Sequence, residues 1–200
     1  MNYIFFEDDH SSFLAPFSLT HPVFELRCGV YTNLERIIKN LKDNDTLTLI
    51  VREELKELVE YKYPAYNVNP KIISKGIFLN SACIWTEELF QKINDEKTYV
   101  NKDIIITCNS KEDIYLNDLK LFYKSCKQVY TNIDIKYIKY LWDSIYMSPD
   151  QFSIDFNDFS NQKFGEIHSS VIIENDEFVY VGDEVSIGAG SIIDATKGPV

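Results

Sequence analysis

Glycine is scarce in this chain: seven occur among 200 residues, and none precedes Gly29. Backbone amides that cradle a chain of phosphates need residues without a Cβ for close approach, so a glycine-rich phosphate loop after the first strand is excluded. The four cysteines, Cys28, Cys83, Cys108 and Cys126, are scattered without any Cys-x-x-Cys pair, which argues against a zinc site or a disulfide framework. His10, His21 and His168 are too far apart to suggest a metal triad, and none follows a Ser or Cys nucleophile motif. Basic residues are also in deficit, 20 against 31 acids, for a formal charge of −11. Such a surface repels nucleic acid and anionic lipid on average, so neither nucleic acid nor a membrane is an expected partner. A phosphate-bearing ligand would have to meet a local basic cluster or a bridging metal ion. The longest apolar runs, such as Ile104 to Ile106, are far too short to span a bilayer, and the N-terminus lacks the pattern of a signal peptide. A soluble, cytoplasmic protein is expected.

What the chain does have is core-forming material, with a hydrophobic fraction of 45%, thirteen Phe and thirteen Tyr. Its length allows one ordinary domain plus an appendage. Asn2 to Phe6, Thr46 to Val51 and Asp103 to Thr107 read as buried strands bounded by polar turns. Between the first two, Val30, Leu34, Ile37, Ile38 and Leu41 share one helical face, and Thr32 with Glu35 forms a capping-box pair. Leu55, Leu58 and Val59 mark a second helix, and Thr86 caps a third that carries Leu89, Phe90 and Ile93. Strand and helix in alternation predict a mostly parallel α/β sandwich over residues 1–147. Residues 148–165, polar and broken by Pro149, read as a linker.

Residues 166–200 carry a different rhythm. Val181-Gly182, Ile187-Gly188 and Ile193-Asp194 return every six positions, with Val179, Val185 and Ser191 two places before each. That period fits neither a helix nor a simple alternation, but it suits a solenoid whose short flat faces each turn one aliphatic side chain inward. Val171 and Ile173 repeat the pattern eight residues earlier, which implies a slip at Asn175-Asp176-Glu177. The segment resembles the hexapeptide repeats of left-handed parallel β-helices, which occur largely in acyltransferases and enzymes fused to them. Stacked repeats need about three copies to bury their faces, and little more than one coil is present, so the natural protein is expected to continue beyond Val200. A three-stranded appendage complete in itself is the alternative.

Ligands of open parallel sheets bind beyond the carboxyl ends of the strands, and the first such end leads into a loop from Glu7 to Gly29. Loops of that length usually have work to do. Arg27, beside Gly29 at the start of a helix, would meet a phosphate; the other reading is an ion pair with Glu25 or with the acids at 7 to 9. Trp85 and Trp142 read as core and junction packing rather than as base-stacking platforms.

The opening Met1-Asn2-Tyr3-Ile4-Phe5-Phe6-Glu7-Asp8-Asp9, the run from Leu14 to Gly29, Ile77-Phe78-Leu79-Asn80, Leu141-Trp142-Asp143 with Asp155, Ile193-Asp194-Ala195 and Gly198-Pro199-Val200 together resemble a bacterial family of sugar nucleotidyltransferases. That family is related to the bifunctional uridyltransferase and acetyltransferase that makes UDP-N-acetylglucosamine. The resemblance implies a Rossmann-like nucleotidyltransferase domain followed by the first coil of a left-handed β-helix, with a homotrimer for the full-length protein. It implies Mg²⁺-dependent transfer of a nucleotidyl group from a nucleoside triphosphate to a sugar-1-phosphate. Asp8, Asp9 and Asp143 are then the candidate Mg²⁺ ligands, Arg27 the catalytic phosphate-binding residue, and Asn80 and Gly29 substrate-binding positions. The chain departs from the pattern by lacking the glycine-rich loop and the Gly-Asp pair of a central strand, where it has Phe78-Leu79-Asn80-Ser81-Ala82, and by His21 where the family favours arginine. A catalytically inactive domain that binds a nucleotide sugar, or serves as a scaffold, is the alternative.

Overall fold

The structure is a computed structural model that describes residues 1–93, 97–101, 104–126, 134–159 and 162–200. The chain divides into two units: Met1–Arg27 with Tyr31–Ser144, and Cys28–Val30 with Ile145–Val200.

In the first unit the apolar run at the N-terminus forms β1 (Asn2–Phe6). It pairs in parallel with β2 (Thr46–Ile50), which pairs in parallel with the short β3 (Asn67–Val68). On its other side β1 pairs in parallel with β4 (Gly76–Asn80). β5 (Tyr99–Asn101) and β6 (Ile104–Ser110) complete a six-stranded sheet of order β3-β2-β1-β4-β6-β5. The sheet is mostly parallel, as alternation of strand and helix predicts. The strand expected from Asp103 departs from that rule: it is β6, antiparallel both to β4 and to its sequence neighbour β5. Consecutive strands with a short connection must run antiparallel. Asp103 itself lies outside the described residues.

Side chains of a strand alternate between the two faces of the sheet, and both faces here are covered. Tyr3, Phe5, Leu47, Leu49, Ile77 and Leu79 bury on one face, together with Leu34 and Ile37 of α1 (Asn33–Asn40) and Val59 of α2 (Lys56–Lys62). Ile4, Phe6, Ile50, Phe78 and Ile105 bury on the other, with Leu119 and Cys126 of the helix Leu119–Cys126. The capping box of α1 forms as its sequence predicts: Thr32 Oγ1 accepts from Glu35 N–H, and the Glu35 carboxylate accepts from Thr32 N–H at 2.6 Å. Thr86 likewise caps the helix Glu87–Lys92 by accepting from Leu89 N–H. Ile38, expected on the apolar face of α1, is 40% exposed.

A helix runs unbroken from Leu141 to Asp155 through Pro149, so the first residues of the stretch read as a linker, 148–155, are helical. Proline removes one backbone donor and would ordinarily stop a helix. Side-chain bonds brace this one: Gln151 Nε2 donates to the buried Asp155 carboxylate at 3.0 Å, Asp155 accepts from Val30 N–H at 2.9 Å, and Ser148 Oγ accepts from Gly29 N–H at 3.1 Å. Farther on, Ile167 pairs in parallel with Ile187, and Ile172 to Glu174 pair in parallel with Ile192 to Asp194, partners twenty residues apart. Three six-residue steps account for eighteen of those twenty. The remaining two lie at the predicted slip, where Asn175 adopts a left-handed conformation and Asp176–Phe178 forms a tight 3₁₀ turn. Of the residues of the six-residue period, Val179 and Val181 are buried beside Ala195 with Ile167, Ile173, Ile187 and Ile193 packed against them, whereas Val185 is exposed.

No helix among the described residues is long and apolar enough to cross a membrane.

Candidate functional site

Parallel β1, β2 and β4 end at one edge of the sheet, and the residues that leave that edge carry the charge. Glu7 follows β1 and its carboxylate is only 3% exposed. It accepts from Val23 N–H at 2.7 Å, from Arg52 N–H at 2.9 Å and from Arg52 Nη1 at 3.1 Å. Arg52, two residues beyond β2, also donates through Nη2 to the carbonyls of Ser18 (2.6 Å) and His21 (3.2 Å). One buried ion pair thus fastens the long loop to two strand ends. Burial pushes the Glu7 carboxyl above its usual range, outweighing the pull of Arg52 and of the two backbone donors.

Asp8, the next residue, is the centre of the site. Its Oδ1 accepts from His10 N–H at 2.9 Å, and its Oδ2 accepts from Asn80 Nδ2 at 2.9 Å and from the Tyr137 hydroxyl at 2.8 Å. The structure therefore brings together two residues singled out in the sequence, Asp8 and Asn80, from the ends of adjacent strands. Tyr137 arrives because Ile84 N–H donates to Lys136 O and Ile138 N–H to Ala82 O, both at 2.9 Å, which lays 136–138 alongside 82–84. Burial and the Asp8 charge both raise the Tyr137 phenol, so it stays protonated and donates. The His10 ring stands 3.6 Å from Asp8 through Nδ1. Asn80 is wholly buried: its amide also donates to Ile105 O, its side-chain oxygen accepts from Ala82 N–H, and its backbone carbonyl accepts from Trp85 Nε1.

The other candidates are not among the partners that hold Asp8. Asp9 is exposed at the first position of the 3₁₀ segment Asp9–Leu14. Asp143 accepts from the N–H groups of Lys139 and Tyr140 at 3.0 and 2.8 Å, securing the start of its helix. Arg27 is 57% exposed, and the Glu35 carboxylate lies 3.5 Å from it. Glu25 accepts from Lys62 and Tyr63. Gly29 has φ +73°, and a Cβ there would run into the Asp155 carboxylate. Gly29→Ala is therefore expected to destabilise the second unit by about 1–3 kcal/mol, checked by thermal unfolding. Unchanged unfolding would contradict that geometry.

Trp85 is core, as expected, and Trp142 is 54% exposed and stacks on Tyr140. Arg52 and Tyr137 were missed in the sequence. A signal for Arg52 existed, since it directly follows the predicted second strand at the ligand-binding edge. Tyr137 had none, because its role depends on a backbone ladder between segments distant in the chain.

A mostly parallel, doubly covered α/β sheet with a carboxylate held at its C-terminal edge fits the class of nucleotidyltransferase-like folds. Within this class, the model of the sugar nucleotidyl transferase family matches residues 3–163, and the chain belongs to that family. A search of curated proteins finds no match.

Proposed function

We propose that the first unit transfers a nucleotidyl group from a nucleoside triphosphate to a sugar-1-phosphate at the edge occupied by Asp8. The observation that carries this reading is the fixed Asp8 carboxylate at the end of β1, inside the residues matched by the family model. In the reaction an oxygen of the sugar phosphate attacks the α-phosphorus, the bond from that phosphorus to the bridging oxygen breaks, and pyrophosphate leaves. Such chemistry asks for placement and charge compensation more than for a protein nucleophile.

The family implies Mg²⁺, and the donor set fits an ion that takes one or two carboxylates and fills its shell with water and substrate oxygens. Asp8 accepts three hydrogen bonds where a carboxylate has about four acceptor positions, and Asp9 beside it is exposed. Among the described residues no three acids, histidines or cysteines gather into a fuller cage. Asp8 and Asp9 would hold the ion, which when bound neutralises charge on the phosphates. Asn80 and Tyr137 keep Asp8 in one orientation. Arg27, exposed six residues ahead of α1 rather than at its start, and 3.5 Å from Glu35 of that helix, would bind a phosphate. Asp143 is a further carboxylate for the same ion.

The second unit, with parallel partners twenty residues apart and a converging aliphatic core, supports a reading as the opening coil of a left-handed β-helix. A homotrimeric full-length protein related to the bifunctional uridyltransferase and acetyltransferase belongs to that reading. One observation favours the alternative of a non-catalytic nucleotide-sugar binder: the Asn80 amide is committed to internal partners, not presented to a ligand.

The test is pyrophosphate release, with mass detection of products, from the chain incubated with Mg²⁺, the common nucleoside triphosphates and a panel of sugar-1-phosphates. A nucleotide sugar formed from at least one pair is expected. Silence with every pair would overturn the enzymatic reading.

A further inference from the structure

The first unit carries a run of aromatic rings that leads from Tyr137, packed against the core, out to the surface. Trp142, 54% exposed, lies nearly parallel to Tyr140, with ring centroids 4.7 Å apart and planes 11° apart. Tyr140 meets Phe13, itself 47% exposed, at 5.7 Å. Phe13 in turn meets His10 at 5.6 Å, and His10 meets Tyr137, the phenol bonded to Asp8, edge-on at 6.3 Å. The rings therefore lead without a break from the Asp8 carboxylate to open surface. The Lys139 ammonium stands over them, 5.4 Å from the Tyr140 ring and 5.6 Å from that of Phe13.

We propose that the Phe13, Tyr140 and Trp142 rings are the base-stacking platform for the nucleotide, with Lys139 as the counter-charge for its phosphates. The inference rests on the nucleotidyltransferase reading and names the part of the substrate that this surface receives. A nucleoside triphosphate is a flat π-system joined to a polyanion, and the ledge offers stacked rings beside a cation on a chain that is otherwise strongly acidic. Stacking also answers a need specific to this sequence. With no glycine before Gly29, backbone amides cannot close around the nucleotide in the usual way, and a grip on the base supplies affinity that the loop does not.

Trp142 reports on its own occupancy, because the other tryptophan, Trp85, is sealed in the core with Nε1 donated to Asn80 O. Emission should be followed while ATP, CTP, GTP or UTP with Mg²⁺ is added, with inorganic tripolyphosphate as a probe lacking a base, and each Kd confirmed by calorimetry. At least one nucleotide is expected to quench Trp142 saturably. Trp142→Ala should weaken that nucleotide by about 5- to 100-fold while leaving tripolyphosphate unchanged, and Trp142→Phe should restore most of the loss. An equal Kd in wild type and Trp142→Ala would overturn the platform while leaving the transferase reading intact. So would a loss shared equally by tripolyphosphate. Failure of every nucleotide to bind the wild type would overturn both.

Discussion

Arg52→Ala is expected to lower the unfolding free energy by about 3 kcal/mol at pH 7, the lower end of the range for breaking a buried ion pair, because Arg52 itself is a quarter exposed. The cost arises on the side of Glu7. Its carboxylate would stay almost wholly buried with two backbone N–H donors and no cation, and the carbonyls of Ser18 and His21 would lose their donor as well. The same pair makes the effect depend on pH. Burial raises the Glu7 carboxyl in the folded state, so folding favours its protonated form. The stability contributed by this group is fully present below the unfolded carboxylate range and is lost as pH rises through the folded value. Arg52 pulls the folded value down, and its removal moves that value up and widens the window. Arg52→Ala should therefore regain part of its lost stability between pH 7 and pH 5. Urea unfolding of both proteins at the two pH values checks this, and an identical loss at both would contradict it.

Asp8→Asn carries the largest expected effect on activity, a fall in turnover of about 100-fold or more, comparable to the removal of one electrostatic group from an active site. The substitution keeps shape but cannot keep the bonding. With its oxygen toward Asn80 and Tyr137, the new amide would set its NH₂ against the His10 N–H; flipped, it would set that NH₂ against two donors. A stability loss of about 1–3 kcal/mol accompanies the change, so turnover must be measured well below the variant's Tm. Wild-type turnover in a folded Asp8→Asn protein would remove Asp8 from the chemistry.

How far each feature could be read in the sequence follows from how local its causes are. The five-residue strand at Asn2–Phe6 and the Thr32 and Glu35 capping box are fixed by neighbours in the chain, and both stand as their residues predict. The two-residue slip before Val179 was visible for the same reason, since it breaks a period. The helix through Pro149 was not visible, because the rule that proline ends helices is local whereas the bonds that overrule it come from Gly29 and Val30, more than a hundred residues earlier. At the site, Asp8 was marked by its place at the end of the first strand and Asn80 by the family resemblance, but their mutual bond required the β1 and β4 register. Glu7 stood among consecutive acids with nothing to distinguish it, and only burial against Arg52 separates it from its neighbours. The exposure of Trp142 likewise depends on tertiary packing, since a Trp beside a Leu looks the same in a core as on a ledge.

The central claim, that nucleotidyl transfer takes place at the Asp8 edge, is tested most directly by running the reaction backwards. Labelled pyrophosphate and Mg²⁺ are supplied with a panel of nucleotide sugars, and label is sought in nucleoside triphosphate for wild type and for Asp8→Asn. The account predicts incorporation by the wild type that requires a nucleotide sugar and falls about 100-fold in Asp8→Asn. No incorporation with any nucleotide sugar, or equal incorporation by the two proteins, would contradict it.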